Sequence, residues 1–350
     1  MEYIIALLLC FFIAVSITPL VKKLALKIGA VDLPNSRKVH QQVMPRLGGL
    51  AIFISFFIGY TIFHPGILDA WPVLLGATII CITGILDDSR GLSYKSKLFG
   101  QLLAAIVTVL GGIRIEFITL PFGDRIEFDY LAIPLTIIWI IAITNAINFI
   151  DGLDGLAAGV SSIALITITG LAMTMVDTLM VFMGIMMLGS TLGFLVYNFH
   201  PAKIFMGDTG SLFLGYMISV ISVLGLYKNV AIFSLLVPII ILGIPILDTT
   251  FAIIRRIIHK KPISAPDKFH LHHCIIRLGF THKQTVITIY ALSALFSLAA
   301  IVFTRSTLWG STIIIISLIL LVELIVEVTG LISVNYRPIL RLMENGKHRK

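Results

Sequence analysis

The stretch Tyr3-Ile-Ile-Ala-Leu-Leu-Leu-Cys-Phe-Phe-Ile-Ala-Val-Ser-Ile-Thr-Pro-Leu-Val21 decides the class of this chain, because it contains no charged residue. A helix needs about 20 predominantly apolar residues to cross a bilayer. Glu2 precedes the run and Lys22 and Lys23 follow it, which is the reverse of the charge order of a cleaved signal peptide. We therefore expect a retained membrane-spanning helix.

The composition extends this expectation to all 350 residues. Hydrophobic residues make up 58% of the chain and charged residues 13%, the net charge is +8, and the mean hydropathy is +1.03. Soluble domains carry about 25% charged residues. A soluble globular protein and a disordered chain are therefore excluded, and three cysteines are too few for a secreted disulfide scaffold.

Apolar runs of spanning length recur along the whole sequence. Eleven such runs would use about 220 residues and leave only short loops. We therefore predict an all-α polytopic membrane protein with about eleven transmembrane helices. The runs are 3–21, 47–63, 71–86, 98–113, 131–149, 156–175, 179–197, 211–226, 230–254, 284–303 and 308–330.

The basic residues predict that the N-terminus lies outside and the C-terminus inside. With that orientation, 22 of the 26 Lys and Arg residues lie on the inner side, where basic residues accumulate in membrane proteins. The four others are Arg114, Arg125, Lys228 and Arg305. The positively charged inner face would also attract anionic lipids or anionic substrates.

One outer segment alternates polar and apolar residues. Residues 114–118 and 124–130 show this alternation on either side of Pro121-Phe-Gly123. This pattern predicts a small two-stranded β-hairpin on the outer surface.

Asp87 and Asp88 end the third run on its inner side. Adjacent carboxylates repel, so at least one should bind its proton more tightly, which suits a general base or a cation site. The alternative is a solvated helix end that Lys95 and Lys97 neutralise. The residues alone leave both interpretations open.

The inner loop Asn145-Ala-Ile-Asn-Phe-Ile-Asp-Gly-Leu-Asp-Gly-Leu156 contains no basic residue. Asn148, Asp151 and Asp154 are three residues apart, so a helical turn would place them on one face. Ionisable groups at membrane depth point to function. Their oxygens suit a hard cation such as Mg²⁺ better than zinc.

Another inner loop has the sequence Phe205-Met-Gly-Asp-Thr-Gly-Ser211. Glycines on both sides of Asp208 permit a tight turn and a close backbone approach. Thr209 and Ser211 can cap the next helix, whose N-terminus attracts an anion. A plain N-cap by Asp208 is the alternative.

Asp248 is a carboxylate inside the ninth apolar run. It lies one helical repeat before Arg255. An ion pair between the two and a direct role in chemistry both stay open.

The largest inner loop, residues 255–277, contains His270, His272 and His273. A His-x-His-His sequence without a cysteine or a carboxylate at a typical spacing is a poor zinc signature. Beside Lys268 and Arg277, these imidazoles are better suited to phosphate and sugar hydroxyls. A charged surface loop is the alternative.

Carboxylates, an asparagine, basic residues and histidines thus share one membrane face. This set suits Mg²⁺-assisted phosphoryl transfer from a soluble anionic donor to a membrane-bound acceptor. The metal offsets the charge of a diphosphate, and cationic side chains hold the phosphates.

The motifs resemble those of the polyprenyl-phosphate N-acetylhexosamine-1-phosphate transferases, glycosyltransferase family 4. The Asp-Asp pair with downstream lysines, NAxNxxDGxDG, FMGDxGS and the histidine motif follow in the family's order, and 32–40 and 45–49 also match. The HLHH sequence at 270–273 is similar to the undecaprenyl-phosphate N-acetylglucosamine-1-phosphate transferase branch. The muramoyl-pentapeptide branch usually has three consecutive histidines. Cys274 is a departure, because Arg is expected after HLHH.

The resemblance implies a role for each reacting group. Asp87 or Asp88 would deprotonate or orient the lipid phosphate, and Lys97 would hold phosphate. Asp208 would bind the metal with help from Asn148.

The resemblance also implies the substrate contacts. Asp151 and Asp154 would border the nucleotide, with Asp154 near uracil, and Phe205 would stack on the base. The remaining contacts are to diphosphate and sugar, from His270, His272, His273 and Arg277, and to the lipid phosphate, from Arg46 and Lys38.

The implied reaction converts UDP-GlcNAc and undecaprenyl phosphate to undecaprenyl-diphospho-GlcNAc and UMP, with Mg²⁺, or alternatively Mn²⁺, as cofactor. It would start a cell-envelope glycan such as teichoic acid or O-antigen. We expect one integral membrane catalytic domain over residues 1–335 and a cytoplasmic tail over 336–350. The active site would face the cytoplasm of a bacterial plasma membrane. A homodimer is a further expectation, and nucleic acid is not an expected partner.

Three rival functions are weighed against this one. A muramoyl-pentapeptide transferase differs only in its donor, and the HLHH sequence disfavours it. A secondary transporter would have its site near the midplane between repeated halves, whereas these acids lie at inner helix ends without a repeat. A CDP-alcohol phosphatidyltransferase would need DGxxAR followed by GxxxDxxxD, which the sequence lacks. Direct attack is favoured over a phospho-enzyme, because the lipid phosphate is itself a nucleophile.

Overall fold

The computed structural model describes residues 1–33, 43–65, 67–119, 125–175, 177–226, 235–262, 267, 269–333 and 336–341. These residues form mainly helices, with two small two-stranded sheets. The helices are α1 Glu2–Ile28, α2 Gly49–Phe63, α3 Ile67–Arg90, α4 Tyr94–Leu110, α5 Ala132–Ile150, α6 Leu156–Met175, α7 Thr178–Asn198, α8 Gly207–Leu226, α9 Leu236–Ile241, α10 Gly243–Ile258, α11 Leu271–Arg277, α12 His282–Arg305 and α13 Leu308–Thr329.

The apolar runs form helices, as the sequence predicts. The first eight runs correspond to α1–α8, and the last two correspond to α12 and α13. Within the described ranges, eight helices are long and apolar enough to cross a membrane. The helical membrane class is therefore confirmed.

The ninth run, 230–254, does not form one continuous helix over its described part. Helix α9 ends at Ile241, and α10 begins at Gly243. Pro238 and Pro245 lack the N–H that a continuous helix needs, and Gly243 adds backbone freedom at the break. The run therefore supplies a short helix and a second one that extends to Ile258.

The predicted hairpin is present as strands β3 Phe117–Thr119 and β4 Arg125–Glu127, which pair antiparallel. The turn sequence Pro121-Phe-Gly123 lies outside the described residues. A second ribbon was not predicted, and it joins β1 Val31–Asp32 to β2 Met44–Pro45. Strands of two residues carry too little alternation to be recognised in a sequence.

Helix α8 lies at the centre of the bundle. It packs against α2, α3, α5 and α6, and Phe213 and Tyr216 are fully buried. Helix α13 is peripheral, with Ile313 and Ile319 each 62% exposed. An apolar exposed surface of this kind suits contact with lipid.

The last described residues, 336–341, pack back onto α13. The carboxylate of Glu327, which is fully buried, accepts the backbone N–H groups of Ile339 at 2.7 Å and Leu340 at 2.8 Å. Residues 342–350 of the predicted tail lie outside the described residues.

Candidate active site

Four helix ends meet at one end of the bundle and bring the predicted reacting groups together. Asp87 and Asp88 lie near the end of α3, and Lys97 lies in the first turn of α4. Asn148 lies in the last turn of α5, and Asp208 lies at the start of α8. Residues separated by up to 121 positions therefore share one polar cluster in the bundle.

Short local structures set the positions of these helix ends. Gly91, with φ +70°, ends α3, and its N–H is bonded to the Asp87 carbonyl. Ser93 then caps α4 by accepting the N–H of Ser96 at 3.2 Å. This tight α3–α4 connection places Lys97 beside the carboxylates at the end of α3.

Asp88 is the cap of α8. Its Oδ1 accepts the N–H of Asp208 at 2.9 Å and the Arg46 guanidinium at 3.0 Å, and its Oδ2 accepts the N–H and the hydroxyl of Thr209 at 2.9 and 2.6 Å. The positive end of a helix dipole favours a carboxylate at this place. The Asp88 side chain has no exposed surface, and both its oxygens are engaged. The anion at the α8 N-terminus is thus the Asp88 carboxylate, which lies about 120 positions earlier in the chain.

Gly207 allows this close approach. Its φ is +71°, which favours glycine, and a Cβ there would overlap the Asp88 carboxylate. A Cβ at Gly84 of α3 would likewise overlap the backbone of Thr209. The glycines therefore let α3 and α8 come together at the polar cluster.

Asp87 faces the interior of the cluster. Its Oδ2 lies 3.1 Å from the Lys97 ammonium, which also contacts Oδ2 of Asp208. Its Oδ1 accepts the N–H of Leu92 at 2.8 Å. Arg46 Nη2 is 4.0 Å from the same Asp208 oxygen. Two carboxylates thus share one ammonium, with a guanidinium at their edge.

Asn148 holds the other oxygen of Asp208. Its Nδ2 donates to Asp208 Oδ1 at 2.8 Å and to Ser211 Oγ at 2.7 Å. Within the described residues, the side-chain oxygen Oδ1 of Asn148 accepts no hydrogen bond, whereas the backbone carbonyl accepts the N–H of Asp151. Carboxylate and amide oxygens form the donor set of a hard divalent cation. The Lys97 ammonium lies between Asp87 and Asp208, so these two carboxylates can share a positive ion.

Asp151 lies next to this cluster and is half-buried. Burial raises the pKa of its carboxyl to about 8, and the negative charges of Asp208 and Asp88 act in the same direction. Asp151 therefore accepts a proton near neutral pH in the ligand-free protein.

Asp154 belongs to a different cluster. Its Oδ2 accepts the N–H of Ala202 at 3.1 Å and lies 2.8 Å from His200 Nδ1. Its own N–H donates to His282 Nε2 at 3.0 Å. Asp151 and Asp154 thus have different surroundings, although both were predicted to border one nucleotide.

Phe205 and Arg46 lie on two segments that run side by side. Phe205 donates its N–H to the Pro45 carbonyl at 2.8 Å, and its own carbonyl accepts the N–H of Gly48 at 3.0 Å. These bonds join the segment before α8 to the segment before α2. Lys38, predicted to guide the lipid phosphate together with Arg46, lies outside the described residues.

The histidine motif forms the start of the short helix α11, which the sequence analysis did not predict. The Asp248 carboxylate lies 2.8 Å from His270 Nδ1 and accepts the N–H of Leu271 at 2.7 Å. Asp248 therefore pairs with a histidine, whereas Arg255 donates to Asp267 at 2.6 Å. The ion pair between Asp248 and Arg255 that the sequence left open is replaced by these two contacts.

The other two histidines have different surroundings. His272 is 2% exposed, and its ring lies against Gly152. Burial holds the pKa of His272 well below its ordinary value of 6.5, with the charges of His273 and His270 acting in the same direction. Burial also lowers the pKa of His273, which is half-buried. Both side chains are therefore neutral at pH 7.

Arg277 lies at the end of α11 and is exposed. Its guanidinium lies over the Phe269 ring, 4.5 Å from the ring centre, and Nη2 donates to Cys274 Sγ at 2.9 Å. The Cys274 sulfur thus helps to hold the Arg277 side chain. Position 274 is the one at which the resemblance leads us to expect an Arg.

Sequence reasoning missed the residues that support the site from a distance. They include Thr209 as a partner of Asp88, His200 and His282 as partners of Asp154, and Asp248 as the partner of His270. Asp248 carried a signal, as a carboxylate inside an apolar run, and Thr209 carried one as a candidate cap of the next helix.

Comparisons with known proteins identify the family. A family model described as "Glycosyl transferase family 4" matches residues 70–226. A probable undecaprenyl-phosphate N-acetylglucosaminyl 1-phosphate transferase of Bacillus subtilis (strain 168) is 51% identical over 339 residues, which cover 96% of this chain and 94% of that protein. A decaprenyl-phosphate N-acetylglucosaminephosphotransferase of Mycobacterium tuberculosis (strain ATCC 25618 / H37Rv) is 35% identical, covering 77% of this chain and 74% of that protein. A phospho-N-acetylmuramoyl-pentapeptide-transferase of Halalkalibacterium halodurans is 32% identical, covering 85% and 96%.

These relatives confirm the resemblance seen in the motifs. The apolar helices add that the protein is a multi-pass membrane protein. With 51% identity over nearly its whole length to a relative of this kind, the chain belongs to glycosyl transferase family 4, the family of polyprenyl-phosphate N-acetylhexosamine-1-phosphate transferases.

Proposed function

We propose that this protein transfers N-acetylglucosamine-1-phosphate from UDP-GlcNAc to undecaprenyl phosphate and releases UMP. The observation that carries the proposal is the convergence of Asp87, Lys97, Asn148 and Asp208 from four helix ends. The names of the 51% and 35% identical relatives support the acceptor and the sugar.

In this reaction an oxygen of the lipid phosphate attacks the sugar-bearing phosphorus of the donor. The bond between that phosphorus and the bridging oxygen breaks, and UMP leaves with the electron pair. Asp87 is our general base for the proton of the lipid phosphate, because its Oδ2 faces the cluster and contacts the Lys97 side chain there, while its Oδ1 accepts the N–H of Leu92. Asp88 is assigned a positioning role, since both its oxygens hold α8 and Arg46.

Asp208 and Asn148 are the proposed ligands of Mg²⁺, with Asp87 beside them. When bound, the ion supplies charge neutralisation for the diphosphate. Lys97, freed from one of its two carboxylates, then serves to hold a phosphate oxygen. Arg46, whose side chain is 31% exposed, and Lys38 stay the proposed guides of the lipid phosphate.

The proposed topology has eleven spans, with the N-terminus outside, the C-terminus inside and the site facing the cytoplasm. The distribution of the basic residues supports this orientation, because it places 22 of the 26 Lys and Arg residues on the inner side. Arg46 and Lys97, which lie in the cluster, are two of these 22 residues. A bacterial plasma membrane and a role in starting a cell-envelope glycan, such as teichoic acid or O-antigen, complete the proposal. The homodimer stays a prediction, to be checked by light scattering of the solubilised protein.

The donor sugar is tested by comparing UMP release from two nucleotide-sugar donors. Purified protein with undecaprenyl phosphate and Mg²⁺ should release UMP from UDP-GlcNAc and not from UDP-MurNAc-pentapeptide. Reactions without the lipid phosphate are the control for hydrolysis. Faster release from the pentapeptide donor would assign the protein to the other branch, of which a 32% identical relative is a member.

A further inference from the structure

Asp248 and His270 form a buried pair outside the carboxylate cluster. Asp248 lies on α10 and is 1% exposed, and His270 is 9% exposed. One carboxylate oxygen lies 2.8 Å from His270 Nδ1, and the other accepts the N–H of Leu271 at 2.7 Å. The Asp248 side chain therefore accepts the first N–H of α11 and also holds His270, the first histidine of the motif.

Among the three histidines of the motif, His270 is the one held by a carboxylate hydrogen bond in the described structure. The Nδ1 atom of His272 is buried without a partner among the described residues. Because a carboxylate accepts only, the contact requires that His270 carries a proton on Nδ1. Its Nε2, which has no hydrogen-bond partner among the described residues, can then face a ligand.

The ring of His270 lies close to the predicted nucleotide segment. Its centre is 5.9 Å from that of Phe149, the neighbour of Asn148. The ring of His272, parallel to it at 5.9 Å, packs on Gly152 of the same segment. Helix α11 thus presents His270 beside the segment that leads from the metal-ligand candidate to Asp151.

We propose that Asp248 is a positioning residue that fixes the ring orientation and the Nδ1–H form of His270, so that Nε2 meets the diphosphate of the nucleotide-sugar donor. This inference rests on the proposed function. A ring that is protonated on both nitrogens can donate Nε2–H to a phosphate oxygen while Asp248 accepts Nδ1–H. The electron pair of the broken bond leaves with UMP, and Asp248 takes part in no bond made or broken.

The first test needs no activity. Nitrogen-15 NMR spectra of histidine-labelled protein, compared with those of His270→Gln, give the protonation pattern of the His270 ring. We expect Nδ1 to be protonated in the wild type. We expect the proton to move to Nε2 in Asp248→Asn, whose amide donates to Nδ1 while its oxygen still accepts the N–H of Leu271. A wild-type ring protonated on Nε2 alone would overturn the proposal, whether or not the variant folds.

The second test is a double-mutant cycle on UMP release from UDP-GlcNAc. Asp248→Asn should lower kcat about 100-fold and change the donor KM less than about threefold, because the negative charge on the departing UMP phosphate, which Nε2–H would stabilise, develops mainly in the transition state. In the His270→Gln background the same change should cost less than about twofold. An equal loss in both backgrounds would show that Asp248 acts independently of His270 and would overturn the proposal.

Glu327→Gln is the matched control. Glu327 is also a buried carboxylate that accepts backbone N–H groups, at Ile339 and Leu340, but it holds no histidine. Its kcat should stay within about twofold of the wild type. If Glu327→Gln lowered kcat as much as Asp248→Asn does, the effect would be that of losing any buried carboxylate, and the proposal would be overturned. If the wild type releases no UMP, the proposed function fails, while the NMR measurement still decides the contact.

Discussion

Asp88→Ala should destabilise the protein more than Asp87→Ala, although the two carboxylates are neighbours in the chain. Removing Asp88 leaves the part-buried N–H of Asp208 and the buried N–H of Thr209 without an acceptor. Each such group costs about 1–3 kcal/mol, so we expect a loss of about 4 kcal/mol. The ion pair with Arg46 adds little, because the Arg46 side chain is 31% exposed. Asp87→Ala frees one N–H group, that of Leu92, and leaves Lys97 paired with Asp208, so it should cost about 2 kcal/mol.

Thermal unfolding can be followed with a thiol-reactive dye, because the three free cysteines are buried and react only when the protein opens. With about 2 °C per kcal/mol, the Tm should fall by about 8 °C for Asp88→Ala and by about 4 °C for Asp87→Ala. Equal shifts, or a larger shift for Asp87→Ala, would refute the assignment of Asp88 as the cap of α8. The solubilised wild type, heated with and without the dye, is the control for aggregation.

Three further changes test the chemistry of the cluster. Asp208→Ala should abolish UMP release while the Tm changes by only a few degrees. Chelation of the metal by EDTA should likewise abolish UMP release by the wild type. Near-normal activity of Asp208→Ala at limiting Mg²⁺ would contradict the metal assignment. Asp87→Asn should lower the rate, with partial rescue as the pH rises from about 6 to 9, because the lipid phosphate, with a second pKa of about 6, then loses its proton unaided; a flat profile would remove the general base. For Asp151, the folded pKa of about 8 lies above the unfolded value of about 3.9, so ionisation disfavours the folded state and stability should fall as the pH rises from about 4 to 8. Asp151→Asn cannot ionise at this position. In metal-free buffer the difference in Tm between Asp151→Asn and the wild type should therefore increase in favour of the variant as the pH rises over this range. A difference in Tm that stays constant with pH would contradict the raised pKa.

The helical architecture follows from the sequence because a membrane leaves apolar runs few alternatives. Without water, backbone groups must bond within the segment, so a run such as that of α1 forms a helix. The hairpin β3–β4 was predictable because its alternation lies on both sides of a turn sequence. The break between α9 and α10 was missed, since a hydropathy pattern does not register the missing N–H of Pro245.

The clustering of the candidate site residues was predictable from the sequence, but the contacts between them were not. Asp87, Lys97, Asn148 and Asp208 stand at ends of apolar runs, so a shared membrane face brings them together. That Asp88 caps α8 depends on the packing of α3 against α8, over 120 residues of intervening chain. The contact of Asp248 with His270 likewise depends on the short helix α11, which is too brief for a periodic pattern.

The central claim is that a phosphate moves together with the sugar. Purified protein in lipid nanodiscs with undecaprenyl phosphate and Mg²⁺ should be given UDP-GlcNAc that carries phosphorus-32 in the sugar-bearing phosphate and tritium in the sugar. The account predicts that both labels enter the lipid in equal amounts and that unlabelled UMP is released. Tritium in the lipid without phosphorus-32, with labelled UDP as the product, would contradict it.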